Sequence, residues 1–88
     1  MNKINKESLK HICRIGKEWF WSNIFYDAEN DQFLEERYHE EYLDVETVFD
    51  GWFPISDQDL WVQLQKESNA TGISEYLKIR TVAPSHLN

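Results

Sequence analysis

The chain has 88 residues, of which Leu, Ile, Val and Phe supply 23, so it reads as one small folded domain over 1–88 and not as a disordered tail. Its formal net charge of −7 excludes long-range attraction to DNA, RNA or an anionic membrane. Cys13 is the only cysteine, which excludes an intrachain disulfide, and the expected setting is a reducing cytoplasm. Neither a signal-peptide pattern after Lys3, Lys6 and Lys10 nor the roughly 20 apolar residues of a membrane helix is expected from the pattern.

In chain order, the first predicted element is a helix over 6–26, capped by Asn5. Leu9, Ile12, Cys13, Gly16, Phe20, Asn23 and Ile24 recur at helical spacing, and Lys6, Lys10, Arg14 and Lys17 share another face. The run from Trp19 to Tyr26 is apolar on all sides. Gly16 offers a break, and if the helix stops there, 18–26 becomes a buried strand, because a short apolar run does not distinguish the two.

Asp27-Ala28-Glu29-Asn30 is a predicted turn, after which Asp31 caps a second helix over 32–43, a stretch rich in Gln, Leu, Glu and Arg. From Leu43 the period changes to two, through Val45, Thr47 and Phe49. Asp50-Gly51 is a favoured hairpin turn, with Trp52 to Ile55 returning as a strand that Pro54 restricts to a sheet edge. Ser56 caps a third helix, with Asp57 and Asp59 in its first turn and Leu60, Trp61 and Leu64 on its buried side. Ser68 to Gly72 reads as a loop, Glu75 to Val82 as a strand and 84–88 as a loose tail. The expected architecture is a small α+β domain, mostly helical, with about three helices and a small antiparallel sheet or hairpin.

The candidate site is electrostatic. Ten of the sixteen acids lie between Asp27 and Asp50, with Arg37 as the only fixed positive charge among them. Residues four apart on a helix stand about 6 Å from one another, close to the roughly 6–7 Å between phosphates along a DNA strand. On the predicted second helix, Glu36, Glu40 and Asp44 therefore form a phosphate-like row, widened by Glu35 and Glu41 and continued by Glu46. These six are the expected partner-binding residues. The basic stripe of the first helix is expected to meet this acidic segment in the same chain or in a homodimer mate. The aromatics Trp19, Phe20, Trp21, Phe25, Trp52 and Phe53 are expected in the core, or as interface anchors where exposed.

Other chemistry is thinly supported. Asp27, Glu29 and Asp31 occupy the first, third and fifth positions of a calcium loop, but Gln32 and Tyr38 replace its glycine and its closing glutamate. His11, His39 and His86 have no metal-ligand spacing; His39, among carboxylates, is expected to favour its protonated form. Cys13 reads as a small core residue. Gly16, Gly51 and Gly72 are isolated, so no phosphate-cradling loop exists, and no catalytic residue, metal or cofactor is expected.

In size, charge and aromatic content the chain resembles small acidic phage and plasmid proteins that mimic DNA, a resemblance of type that rests on no shared motif. It implies a protein-binding inhibitor that occludes the basic groove of a nucleic-acid-processing enzyme, of the anti-restriction or anti-CRISPR kind. Two alternatives stand beside it: an immunity protein or antitoxin that neutralises a basic toxin, and a small metal-binding or enzymatic domain.

Overall fold

A computed structural model describes residues 6–41 and 46–81. A short 3-10 turn (Lys6–Ser8) leads into four strands, β1 (Leu9–Gly16), β2 (Phe20–Asp27), β3 (Gln32–Glu41) and β4 (Glu46–Ile55). Two helices follow, α1 (Asp57–Lys66) and α2 (Ala70–Arg80). The strands form one antiparallel sheet in the order β1-β2-β3-β4, and both helices pack on one of its faces. The mostly helical architecture expected from the sequence is thus overturned, since strands outnumber helices.

The first two predicted helices are strands. In 20–27 the residues Phe, Trp, Ile, Phe and Tyr are β-formers, and burial alternates: Ser22 and Ile24 point into the core while Trp21, Asn23 and Phe25 point out. The strand alternative for 18–26 is the one the chain adopts. Gly16 ends β1 at φ 114°, a backbone region open to glycine. The Gln32–Glu41 stretch has helix-forming residues, yet it pairs on both sides, with β2 and with β4. Tertiary pairing there outweighs the few tenths of a kcal/mol per residue that separate ordinary helix propensities.

The turn at 27–30 is present, closed by the Asp27 carboxylate, which accepts from Glu29 N at 3.1 Å, Asn30 Nδ2 at 2.8 Å and Gln32 Nε2 at 3.1 Å. These bonds hold buried Asp27 below the usual carboxylate range, the Asn30 amide contributing most. Asp31 sits at φ 49° in this turn and caps no helix. The expected Asp50-Gly51 hairpin is instead a β-bulge. β4 runs straight through it, Gly51 at φ 125° faces Arg37, Phe49 faces Tyr38, and Asp50 is the extra residue. The β3–β4 connection, 42–45, lies outside the described residues, as does Asp44 with it.

The third predicted helix is α1, with the Ser56 hydroxyl accepting from Asp59 N at 3.1 Å. The strand predicted over 75–82 is helix α2, which begins earlier: Asn69 caps it, its side-chain oxygen accepting from Gly72 N at 2.9 Å. Ile73, Tyr76 and Ile79 then recur at helical spacing against the sheet, whereas Leu77 is 40% exposed. Residues 82–88, including the expected tail, lie outside the described residues.

The core lies between sheet and helices. Ile24, Phe33, Leu60 and Leu64 are fully buried, with Ile12, Cys13 and Ile15 around them. Each large apolar side chain contributes about 1.5–3 kcal/mol by leaving water. Arg80 closes one end of this layer. Its guanidinium donates to Asp31 and to Asp57 Oδ1 at 3.0 Å and lies over the rings of Phe33 at 4.9 Å and Tyr26 at 5.6 Å. Its Nε approaches Asp57 Oδ2 at 2.6 Å, but at an angle that makes no hydrogen bond. Cys13 is a core thiol as expected, pushed up to about 11 by burial and then by the Glu67 charge.

Candidate functional site: an uncovered aromatic face with an acidic end

Because the helices cover one face of the sheet, side chains at alternate positions on the other face have no layer above them among the described residues. Five aromatic residues, Trp21, Phe25, Tyr38, Phe49 and Trp52, occupy these positions. Ring contacts run without a gap from Trp21 to Tyr38 (5.7 Å between centroids, 16° between planes), Tyr38 to Phe49 (5.4 Å), Phe49 to Trp52 (6.4 Å), Trp52 to Phe25 (5.5 Å) and Phe25 to His11 (5.2 Å). The Arg14 guanidinium lies 4.6 Å above the Trp21 ring. Leu34, on the same face, is 4% exposed and supports this layer from β3.

The expectation that these aromatics form the core is corrected here. Phe33 is the aromatic fully buried among the described residues, while Trp21, Phe25 and Trp52 are half-buried on the open face. Phe53 lies on the helix side, beneath the Arg37 guanidinium at 3.9 Å. Trp19, Phe20 and Phe49 are 46%, 70% and 50% exposed. All three sit at one end of the sheet: Trp19 O accepts from Glu40 N, Phe20 faces His39 across β2–β3, and Phe49 faces Tyr38.

Five of the six predicted carboxylates are described, and they divide between the two faces. Glu36 and Glu40 are on the open face, roughly 13 Å apart along a strand that rises about 3.3 Å per residue. The 6 Å phosphate-like row needed a helix and is not formed. Glu36 accepts from Asn23 Nδ2 at 3.3 Å and from the Tyr38 hydroxyl, while Asn23 Oδ1 lies 3.3 Å from His11 Nε2. Glu35 points to the helix side, where it accepts from Ser22 Oγ at 3.3 Å and pairs with Arg37 at 3.0 Å. Glu41 and Glu46 face each other directly across β3–β4, an arrangement of like charges that is destabilising.

The acids gather instead at the exposed aromatic end. Glu40, Glu41, Glu46 and Asp50 all lie there. His39 is clamped between Asp50, 2.7 Å from Nδ1, and Glu41, 3.2 Å from Nε2. The Asp50 and then the Glu41 hydrogen bonds raise its pKa above the ordinary histidine value, as its carboxylate neighbours led us to expect. The bulge at Asp50 turns this carboxylate toward the histidine. Sequence reasoning missed that device, although a stranded reading of Asp50-Gly51 within the period-two run was its signal.

Within the chain, Lys10 and Arg14 of the basic stripe make their contacts with groups other than these acids. Lys10 pairs with Glu75 on α2 at 3.0 Å, and Arg14 lies over Trp21. The three acids of the calcium-like pattern are engaged separately: Asp27 in its own turn, Glu29 with Ser8 Oγ at 2.7 Å, Asp31 with Arg80 and the Tyr26 hydroxyl. Among the described residues, no three His, Cys, Asp or Glu side chains converge as a metal site. On the helix side, a groove of about 340 Å³ is lined by Ser22, Glu35, Arg37, Asp50, Gln63 and Glu67. Its carboxylates are already committed, to Ser22 and Arg37, to His39, and to the Gly16 N–H. Among the described residues, no helix is long and apolar enough to cross a membrane. No family model, curated protein or solved structure matches the chain.

Proposed function

We propose that this chain is a small protein-binding domain, an inhibitor that engages a basic surface of its partner through the uncovered aromatic face and its acidic end. One observation carries the reading. The most exposed aromatics, Trp19, Phe20 and Phe49, lie at the same end of the sheet as Glu40, Glu41, Glu46 and Asp50, with Phe20, Glu41 and Glu46 on its helix side. Exposed aromatics supply desolvated anchors, and surrounding charge steers encounter and selects the sign of the partner. Arg14 over Trp21 and Arg37 over Phe53 illustrate, within the chain, the cation-on-ring contact that such a surface offers a cationic partner.

A nucleic-acid-processing enzyme with a basic groove is the target class that the charge favours, and competitive occlusion is the mechanism. A basic toxin, which would make the chain an immunity protein or antitoxin, is the alternative target for the same surface. The cytoplasm is the setting in which a buried free thiol such as Cys13 persists.

The test compares three forms of the chain as bait in nuclease-treated lysate, at low and moderate salt, with binding then measured on the purified partner. Neutralising Glu40, Glu41 and Glu46 to Gln should weaken binding by about tenfold or more at low salt and flatten the salt dependence. Phe20→Ser with Phe49→Ser should weaken it by roughly 30-fold or more at every salt concentration, the scale of two interface anchors. Blocked nucleic-acid binding by the captured enzyme supports groove occlusion; a captured toxin supports the alternative target. Unchanged affinity in both variants rejects this surface.

A further inference from the structure

The two edges of the sheet are treated differently. On β1 the outward backbone groups are capped by the helical layer: the Glu67 carboxylate accepts the Gly16 N–H at 3.0 and 2.8 Å, and Asn69 Nδ2 donates to the Arg14 carbonyl at 2.6 Å. Three of the eight β1 residues are buried. On β4 none of the ten residues is buried, and among the described residues the strand pairs with β3 alone. No described side chain bonds its outer N–H and C=O groups.

An unpaired edge of this length is a template for another strand, and proteins blunt such edges with charge, bulges and proline. β4 carries all three devices, but its charges, Glu46 and Asp50, are of one sign. Pro54 closes only the last part of the edge and leaves 46–53 able to pair. Negative charges on the edge of a chain with net charge −7 repel a second copy. They attract a cationic strand.

From these observations we infer that the outer edge of β4 is a strand-addition site that takes an extended basic segment of the partner as a fifth strand. The inference rests on the protein-binding reading above and specifies how the partner is held. Backbone bonds to β4 supply affinity, and side-chain alternation supplies selectivity. Lys or Arg residues on one side of the added strand lie beside Phe49 and Trp52, which extends the open aromatic face. Those on the other side lie beside Asp50 and Glu46.

The experiment uses the full chain and a capped decapeptide of alternating Lys and Val, followed by amide hydrogen exchange and tryptophan fluorescence. A twin peptide N-methylated at every second residue keeps the charge and side chains but cannot pair along that edge. A Glu-Val decapeptide is the charge control. The expected result is at least tenfold slower exchange of the β4 amides that point away from β3, with β1 unchanged. The N-methylated twin should bind at least tenfold more weakly, and the Glu-Val peptide should not bind.

Equal binding of the twin, or a fluorescence change without β4 protection, overturns strand addition while leaving the protein-binding reading in place. Absence of any binding or fluorescence change with the Lys-Val peptide counts against both. β4 protection in the free protein that rises with concentration makes a second copy the occupant. Protection that is independent of concentration shows the edge closed by the chain itself. Either outcome overturns the inference.

Discussion

Gly16 and Gly51 have nearly the same backbone, φ 114° and 125°, yet their surroundings differ, so replacing each with alanine separates conformational strain from steric contact. At Gly51 an added Cβ meets only the rim of the Phe53 ring, at 3.5 Å, which is ordinary contact. The cost there is strain alone, about 1–3 kcal/mol for a residue held at an unfavourable positive φ. At Gly16 the Cβ lies 2.4 Å from the Phe20 carbonyl oxygen and 2.7 Å from Trp21 Cα. Both are backbone atoms of a paired strand, and moving them stretches the 2.6 Å bond from Lys17 N to Phe20 O.

Adding the loss of about one hydrogen bond, roughly 1 kcal/mol, and displacement of the turn gives an expected cost of about 3–5 kcal/mol for Gly16→Ala. Both variants gain the same ~0.4–1 kcal/mol from a stiffer unfolded chain, which cancels in the comparison. A domain of this size has roughly 4–13 kcal/mol in total, so Gly16→Ala should lose a much larger share of its stability than Gly51→Ala. Urea titration followed by tryptophan fluorescence measures both midpoints. Equal midpoints, or a less stable Gly51→Ala, would refute the close approach of β1 to the Phe20–Trp21 backbone.

Three further outcomes are expected. His39 has its folded-state pKa raised, so its contribution is full below the unfolded value of about 6.5 and is lost as pH rises through the folded value; the stability gap between the native chain and His39→Gln should therefore narrow across that window, and a gap independent of pH refutes the Asp50–Glu41 clamp. Cys13, buried and with its thiol pushed up to about 11, should react with iodoacetamide at pH 8 at least 100-fold more slowly in native than in urea-unfolded protein, and fast native labelling would place it outside the core. Arg80→Met should destabilise by about 1.5–3 kcal/mol, the range for charged hydrogen bonds, and Arg80→Lys should recover less than half of that, because an ammonium cannot span Asp31 and Asp57 as a planar fork does; urea midpoints of the two variants decide this.

Legibility of the sequence followed the range of the interactions involved. The Ser56 cap with Asp57 and Asp59, the turn at 27–30, the edge position of Pro54 and the buried Cys13 were all readable, because each depends on groups a few residues apart or on one side chain's polarity. The stretch 6–26 was not, since Leu9, Ile12, Cys13 and Gly16 fit a helical period while Ser22, Ile24 and Tyr26 fit a strand period in the same segment. The bulge at Ile12, which places two successive β1 residues in the core, disguised the alternation further. In 32–41, glutamates suggested a helix because propensity is a property of single residues and pairing partners are not. The candidate carboxylates are a charge concentration in the sequence, but the division of the five described ones between two faces depends on strand geometry.

The sequence by itself determined the net charge, its concentration between Asp27 and Asp50, the wealth of aromatic residues, the Ser56 cap and the turn at 27–30, all of which follow from residue identity and near neighbours. Only the tertiary structure decided that β2 and β3 are strands, that the helices cover one face alone, and that among the described residues the aromatic layer therefore remains open, with Glu40, Glu41, Glu46 and Asp50 at its end. The physical reason is that a strand acquires its hydrogen bonds from other strands. Which face it buries is fixed by what packs across the sheet, and neither partner is written in the strand's own residues.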